Sequence, residues 1–96
     1  MRVRWTPDAE LDRSDVMDHI ATDNPHAASR MDQLFEDATA RLADFPLLGH
    51  PGMVPGTREL VPHEHYRLVY EVDPGEATVW ILALTHTARQ WPPVDR

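Results

Sequence analysis

Three arginines and a histidine in the second half of the chain have the clearest potential for binding or catalysis. Arg58 and Arg67 are nine residues apart across a tight turn, and adjacent antiparallel strands could bring them close together. Arg89 follows the next strand and could reach the same end of the sheet. Three guanidinium groups together would bind phosphate or carboxylate, because each offers a planar fork of N–H donors. The alternative is that each arginine pairs with a nearby acid, such as Glu59, Glu71 or Glu64.

His86 follows a strongly apolar run and could act as a general acid or base, since imidazole changes charge near neutral pH. A histidine at a strand end is also compatible with a surface or capping role. Trp91 lies in the closing segment, where it could stack on a nucleic-acid base or pack over the edge of the sheet.

The segment His63–Glu64–His65 places two imidazoles two residues apart, and together with His86 they could bind a divalent metal. However, this turn is expected to be exposed to solvent, and the sequence offers no evident second shell of supporting residues. We therefore predict no metal site and no cofactor.

Three β-rich runs must position these side chains, namely Thr57–Val61, Tyr66–Val72 and Thr78–Leu84. The second run alternates between two faces, which is typical of a β-strand. The third run is apolar on both faces, which is typical of a central strand covered on both sides. The preceding stretch, Leu47–Gly56, contains three glycines and two prolines and is predicted to be a connection without regular structure.

The first helix is predicted to begin at Thr6–Pro7, because a hydroxyl cap followed by proline is a strong helix start. A short alternating strand, Met1–Trp5, precedes it, and its tryptophan is predicted to lie in the core, as is Trp80. Arg13 falls on the apolar stripe of this helix, where it would either extend past the core edge or pair with a nearby acid such as Asp12 or Glu10. The stripe consists of Ala9, Val16, Met17 and Ile20.

The second helix is predicted to begin with Asn24 as its cap and Pro25 at its first position, and to end at Phe45–Pro46. Apolar residues at alternating spacings of three and four mark one face of it. They are Ala28, Met31, Phe35, Ala38 and Leu42. Because so few residues separate the two helices, they should form an antiparallel hairpin.

The predicted order of elements is therefore β-α-α-β-β-β. This order indicates an α+β fold in which the helical hairpin packs on one face of a mainly antiparallel four-stranded sheet. Ninety-six residues provide one modest hydrophobic core, so we predict a single domain spanning residues 1–96.

The charge balance restricts the class of partner. Nine arginines and no lysines face sixteen acidic residues, for a net charge of −7. The protein therefore lacks the broad basic field that attracts nucleic acid, and we expect no strong direct binding to it. The chain has no cysteine and no apolar run long enough for a membrane helix, and its first residues do not resemble a secretory signal. These features predict a cytoplasmic protein without a membrane partner.

Several motifs, in this order and at these spacings, resemble the RelE/ParE family of toxins from bacterial type II toxin–antitoxin systems, most closely its ParE-like branch. The resemblance spans nearly the whole chain. The motifs are WTP, DNP, FPLLGHPG, GTREL, YRLVY and HTARQWP.

This resemblance implies a toxin that is held inactive in a hetero-oligomer with a ParD-like antitoxin. In ParE-type toxins the activity is inhibition of DNA gyrase, which is a binding function without substrate turnover. On this reading the residues that bind the target are Arg58, Arg67, Arg89 and Trp91. Because this toxin is acidic, we predict that the antitoxin tail carries more arginine and lysine than is usual for antitoxins.

A resemblance to RelE-type toxins implies the alternative, a ribosome-dependent mRNA endonuclease. Arg67 and Arg58 then occupy the positions of an active-site arginine and a catalytic lysine, and His86 and Arg89 would complete the site. Leu60 stands where a second catalytic lysine is expected, and the C-terminal catalytic tyrosine has no counterpart. A third reading is a degenerate member of the family that binds an antitoxin without being toxic.

Overall fold

The computed structural model describes residues 1–93, in which two helices cover one face of a five-stranded sheet. The sheet has the order β1-β5-β4-β3-β2, with β1 parallel to β5 and all other neighbours antiparallel. The predicted α+β fold is confirmed, with one strand more than expected. The elements are β1 (Arg2–Trp5), α1 (Pro7–Asp23), α2 (Pro25–Asp44), β2 (His50–Pro51), β3 (Thr57–His63), β4 (Tyr66–Asp73) and β5 (Thr78–His86).

The additional strand is β2, which lies within the connection predicted to have no regular structure. It pairs with β3 through His50↔Glu59 and Pro51↔Arg58. Two residues are too short to produce a periodic pattern, which is why the sequence did not reveal this strand.

The helix boundaries follow the predicted capping residues. The Thr6 hydroxyl accepts a hydrogen bond from the Ala9 amide, while the Thr6 amide donates to Ile81 in β5. Asn24 ends α1 by donating to the Ile20 carbonyl, and its side chain caps α2 by accepting from the Ala27 amide. A single residue thus joins the two helices, which holds them as the predicted hairpin.

The hydrophobic core lies between the hairpin and the sheet. As predicted, the stripe of α2 supplies most of the buried helical side chains, whereas α1 buries only Ala9 completely. Trp5 packs against this core while remaining partly exposed, and Trp80 is half-buried on the sheet face that the helices do not cover. The fully enclosed cluster consists of Ala9, Phe35, Ala38, Leu42, Leu68, Tyr70, Val79, Ile81 and Leu84.

A β-bulge at Leu82 determines which residues of β5 face the helices. Val69 is opposite Ala83, but the next residue of β4, Tyr70, is opposite Ile81. The extra residue reverses the alternation of side chains, so that Ile81 and Leu84 both join the core although they are three residues apart. The face of β5 away from the helices is covered as well at its centre, because Ala83 and the opposing Val69 are buried there, while Trp80 on the same face is half-buried.

Arg13 pairs with acids across the hairpin rather than with the predicted Asp12 or Glu10. Its Nε lies 2.7 Å from Oδ1 of Asp32, and its Nη1 lies 3.1 Å from Oε2 of Glu36. The guanidinium also stacks over Trp5, 4.8 Å from the ring centroid. Burial alone would lower the pKa of Arg13, but the two carboxylates outweigh it and raise that pKa. Arg13 therefore joins α1, α2 and β1.

Neither helix is long and apolar enough to cross a membrane, as judged over residues 1–93.

Candidate functional site

Arg58 supports the backbone of the loop between α2 and β2. Its Nε donates to the Gly49 carbonyl at 2.9 Å, and its Nη2 donates to the Leu47 carbonyl at 3.2 Å. Tyr70 holds the same loop, because its hydroxyl donates to the Pro46 carbonyl and accepts from the Gly49 amide. Arg58 therefore stabilises a loop, although the sequence assigned it to target binding or catalysis.

Arg67 forms a nearly buried ion pair with Glu59 of the neighbouring strand. Its Nη1 lies 3.4 Å from Oε1 of Glu59, and the two side chains are only 17% and 7% exposed. Its Nη2 donates to the Thr87 carbonyl at 2.9 Å. The second carboxylate oxygen of Glu59, Oε2, is buried without a hydrogen-bond partner within residues 1–93. Glu59 is one of the acids proposed above as an alternative partner.

The structure does not bring the three arginines together. Arg58 is opposite Tyr70 and faces the helices, whereas Arg67, three residues before Tyr70, faces the other side of the sheet. The cause is a shift in register between Leu60 and His63. If the pairing at His63↔Tyr66 continued regularly, Arg58 would lie opposite Glu71, on the same face as Arg67. Pro62, which has no amide hydrogen to donate, lies within this irregular stretch.

His86 is exposed at the end of β5, among other aromatic rings. Its ring stacks on His65 with centroids 5.5 Å apart and meets Tyr66 edge-on at 5.8 Å. Its Nδ1 accepts a hydrogen bond from the Ala88 amide, which is the capping role considered above. The ring centroid of His63 lies 5.4 Å from that of His65. Even so, no three histidine, cysteine or acidic side chains among residues 1–93 are arranged to hold a metal ion.

His86, Arg89 and Trp91 do come together, along one side of a groove between α1 and β5. The groove has a volume of about 1030 Å³. Five consecutive residues of β5, from Leu82 to His86, line it. Because alternate side chains of a strand point to opposite faces, a consecutive lining means that the groove runs along the edge of the strand.

The opposite wall of the groove is α1, whose contribution sequence reasoning missed. Asp8, Leu11, Asp12 and Asp15 line it, and Leu11 is 63% exposed. These residues share one face of the helix because they are spaced by three, four and seven. A signal was present, since Leu11 is a large apolar residue that lies off the core stripe of α1.

Asp12 covers the strand edge inside the groove. Its Oδ2 accepts a hydrogen bond from the Leu84 amide at 3.0 Å. Burial raises the pKa of Asp12; this hydrogen bond opposes the rise, and the nearby Asp8 and Asp15 carboxylates add to it. The groove therefore combines an acidic wall with an apolar centre, and Asp12 occupies one backbone donor of the strand edge.

Comparison with known proteins identifies relatives over almost the entire chain. Residues 3–91 match the family described as the ParE toxin of the type II toxin–antitoxin system parDE. The protein Y4kP of Sinorhizobium fredii is 35% identical over 94 residues, which cover 97% of this chain and 95% of Y4kP.

Solved structures share the fold. A chain of the chromosomal ParDE system of P. aeruginosa superposes with a TM-score of 0.76 at 23% identity, over 90% of this chain and 95% of that one. The RelBE2 toxin–antitoxin complex of Mycobacterium tuberculosis gives a TM-score of 0.61 at 29% identity, over 91% of each chain. The isolated RelE toxin of E. coli gives a TM-score of 0.68 at 13% identity, over 94% of this chain and 87% of the RelE chain.

The family match over residues 3–91 and the identity with Y4kP confirm the resemblance seen in the sequence motifs, and the helical hairpin on a five-stranded sheet agrees with them. The chain belongs to the ParE toxin family of type II toxin–antitoxin systems.

Proposed function

We propose that this toxin inhibits DNA gyrase by binding to it and that a ParD-like antitoxin neutralises it. The observation that carries the proposal is the internal engagement of Arg58 and Arg67. An RNA-cleaving site would need these guanidinium groups free to contact phosphate, but one holds two loop carbonyls and the other is paired with buried Glu59. A protein that inhibits gyrase by binding alone does not require a set of arginines that are free to contact phosphate.

We assign the contact with the target chiefly to Arg89 and Trp91. Both belong to the segment after β5 and line the groove, where Arg89 is exposed and Trp91 is half-buried. Arginine and tryptophan are the residue types that most often dominate binding energy at protein interfaces. Arg58 and Arg67 would contribute indirectly, by holding the loop and the sheet that carry this surface.

The proposed antitoxin partner is supported by the related proteins. The P. aeruginosa protein belongs to a ParDE system, and the M. tuberculosis protein was solved as a toxin–antitoxin complex. By analogy, this toxin would form a hetero-oligomer with an antitoxin. Gyrase and the antitoxin would both meet it in the cytoplasm.

A supercoiling assay with purified gyrase tests the proposal. Free toxin should reduce supercoiling and cause cleaved DNA to accumulate, and the antitoxin should reverse both effects. Absence of any effect on gyrase, together with cleavage of ribosome-bound mRNA, would establish the RelE-type alternative. Absence of both activities in a folded protein that still binds its antitoxin would indicate the degenerate, non-toxic reading.

Two variants locate the contact with gyrase. Arg89→Ala and Trp91→Ala should each weaken inhibition by about tenfold, the scale expected for a dominant interface residue. Arg30→Ala is the matched control, because Arg30 is exposed on α2 and does not line the groove. Equal inhibition by all three variants would place the contact elsewhere on the toxin.

A further inference from the structure

The contact segment, residues 87–91, leaves β5 without helix or strand structure and is held in place by hydrogen bonds instead. Thr87 uses all three of its polar groups for this purpose. Its amide donates to the His65 carbonyl at 2.9 Å, and its hydroxyl donates to the Glu64 carbonyl at 2.8 Å. Its carbonyl accepts from Nη2 of Arg67 at 2.9 Å. The first residue of the segment is therefore bound to the turn between β3 and β4 and to β4 itself.

His86 fixes the next two residues of the segment. Its Nδ1 accepts a hydrogen bond from the Ala88 amide at 3.0 Å, and its carbonyl accepts from the Arg89 amide at 2.9 Å. A backbone amide can only donate, so Nδ1 must offer a lone pair and the proton of the neutral ring must be on Nε2. An imidazolium carries N–H groups at both nitrogens and cannot accept. The bond to Ala88 therefore exists only while His86 is neutral.

The turn that binds Thr87 depends on a second histidine in the same way. Nδ1 of His63 accepts a hydrogen bond from the His65 amide at 3.1 Å. The ring centroid of His65 is 5.4 Å from that of His63 and 5.5 Å from that of His86. Protonation of neighbouring rings would place like charges close together. The cluster is therefore arranged for neutral imidazoles, and imidazole is the side chain that changes charge between about pH 5 and pH 8.

Other titratable groups near His86 come from three elements. Arg89 of the contact segment lines the groove with His86. In the turn and β4, Oε1 of Glu64 lies 3.4 Å from Nε2 of His65, and Tyr66 meets the His86 ring edge-on. Across the groove, α1 carries Asp8, Asp12, Asp15 and His19. The acids favour a charged imidazole and Arg89 opposes it, so these groups set the pH at which His86 is protonated. None of them restores the lone pair that protonation removes.

We propose that His86 and Thr87 are positioning residues that hold the contact segment along the groove, and that protonation of His86 releases this segment. Arg89 and Trp91 lie two and four residues beyond Thr87. A released segment would present them correctly in only a fraction of the molecules, and the apparent affinity for a partner falls by that fraction. The inference rests on the proposed function only for the identity of that partner, because the hydrogen bonds belong to the toxin alone.

NMR of the ¹⁵N-labelled toxin tests the positioning without any partner. At about pH 7.5 the ring nitrogens of His63 and His86 should show the Nε2–H tautomer. The amides of residues 87–91 should then have order parameters close to those of β5, about 0.85. At about pH 5.5 the order parameters of residues 87–91 should fall below about 0.6. Unchanged values in β5 would show that the fold is intact.

Substitution by asparagine separates the hydrogen bond from the charge. An asparagine side chain can accept from the amide two residues further on, as in an Asx turn, but it does not titrate. In His63→Asn/His86→Asn the contact segment should therefore stay ordered at about pH 5.5. His26→Asn/His50→Asn removes two exposed histidines outside the cluster and should leave the response to pH unchanged. His86→Ala should leave the segment mobile at both pH values.

Gyrase inhibition at about pH 7.5 tests what the positioning is for. Thr87→Val and His86→Ala should each weaken inhibition about threefold to tenfold, the scale of one net hydrogen bond. Thr87→Ser and His86→Asn keep the hydroxyl and the acceptor, so they should inhibit like the wild type. This rescue distinguishes positioning of the segment from a general loss of stability.

Three NMR results would overturn the inference. They are an Nδ1–H tautomer at neutral His86, a contact segment whose order does not change with pH in the wild type, and a response to pH that persists in His63→Asn/His86→Asn. Inhibition of gyrase by Thr87→Val and His86→Ala as strong as that by the wild type would also overturn it, while the proposed function stands. If the wild type does not inhibit gyrase, the proposed function fails, and the NMR results still decide whether the segment is positioned in this way.

Discussion

At the scale of single residues, Glu59 determines what Arg67 can do. The carboxylate is nearly buried, and the guanidinium is its only charged partner within residues 1–93. The position that a nuclease would use for phosphate is therefore neutralised from within the fold. For this reason, loss of toxicity in an Arg67 variant would not by itself identify a contact residue.

Arg67→Ala should lower the free energy of unfolding by about 3–5 kcal/mol, because it leaves the Glu59 carboxylate buried without a counter-charge. Arg67→Met combined with Glu59→Leu should recover most of this loss, since both charges are then removed. Urea denaturation measures both variants, with Arg30→Ala as an exposed control expected within about 0.5 kcal/mol of the wild type. A stable Arg67→Ala protein would show that the pair contributes little.

Asp12 should make stability depend on pH. Because its pKa is raised in the folded protein, its protonation favours folding at low pH, and this contribution is lost as the pH rises from the ordinary pKa of aspartate to the raised value. Asp12→Asn removes the contribution and keeps an oxygen that can accept from Leu84.

The free energy of unfolding of Asp12→Asn should therefore increase relative to the wild type as the pH rises from about 3 to about 6. Denaturant unfolding at several pH values measures this difference, and Glu10→Gln serves as a control at an exposed position. A difference that is constant with pH, or that falls, would contradict the assignment.

At the scale of elements, the loop from Pro46 to Gly49 is held by hydrogen bonds from the sheet below it. The Tyr70 hydroxyl contacts it twice, and the Arg58 guanidinium contacts it twice more. Meanwhile Leu47 and Leu48 in the loop are exposed. The loop is thus shaped by its anchors rather than by burial of its own side chains.

Tyr70→Phe should destabilise the protein by about 1–3 kcal/mol, because the buried Gly49 amide loses its acceptor. The same change at Tyr66 should cost less, since the Tyr66 hydroxyl has no protein hydrogen-bond partner in the described part of the chain. Thermal unfolding of the two variants makes the comparison. Equal losses would mean that the hydrogen bonds of Tyr70 do not hold the loop.

Gly49→Ala should be more damaging than Gly75→Ala, although both positions are glycines in connections. A Cβ at position 49 would lie 2.5 Å from the Glu59 carbonyl oxygen, whereas at position 75 its nearest neighbour is an Asp73 oxygen at 3.5 Å. Relieving the first clash requires β3 to move, at a cost of about 1–3 kcal/mol. Denaturant midpoints of the two variants measure the difference, and equal midpoints would refute the predicted close approach.

At the scale of the whole molecule, the net charge of −7 opposes contact with nucleic acid. Within residues 1–93, exposed acidic side chains outnumber exposed arginines. The proposed action on gyrase would therefore have to come from contacts with the gyrase protein.

Free toxin should accordingly show no saturable binding to duplex DNA at protein concentrations up to roughly 100 µM in low salt, because its net charge of −7 repels the phosphate backbone. Fluorescence anisotropy with a labelled duplex measures this, with a basic DNA-binding protein as the positive control. Micromolar affinity that falls steeply with added salt would contradict the expectation and favour a nucleic-acid target.

The sequence by itself determined the helices, their shared cap at Asn24, the core stripe of α2 and the family. These features depend on local chemistry, since a capping side chain or a helical stripe involves residues only a few positions apart. The family motifs are spread along the whole chain, but they can be recognised from the sequence because the resemblance depends only on their order.

Only the tertiary structure decided which face each arginine occupies and which residues form the groove. A shift of one residue in strand pairing moves every side chain beyond it to the opposite face of the sheet. Two such irregularities, near Pro62 and at Leu82, lie between the candidate residues. The two acids that pair with Arg13 lie 19 and 23 residues farther along the chain, so this pairing likewise depends on how the two helices align. Strand register and helix packing arise from contacts between distant segments, and no local pattern in the sequence specifies them.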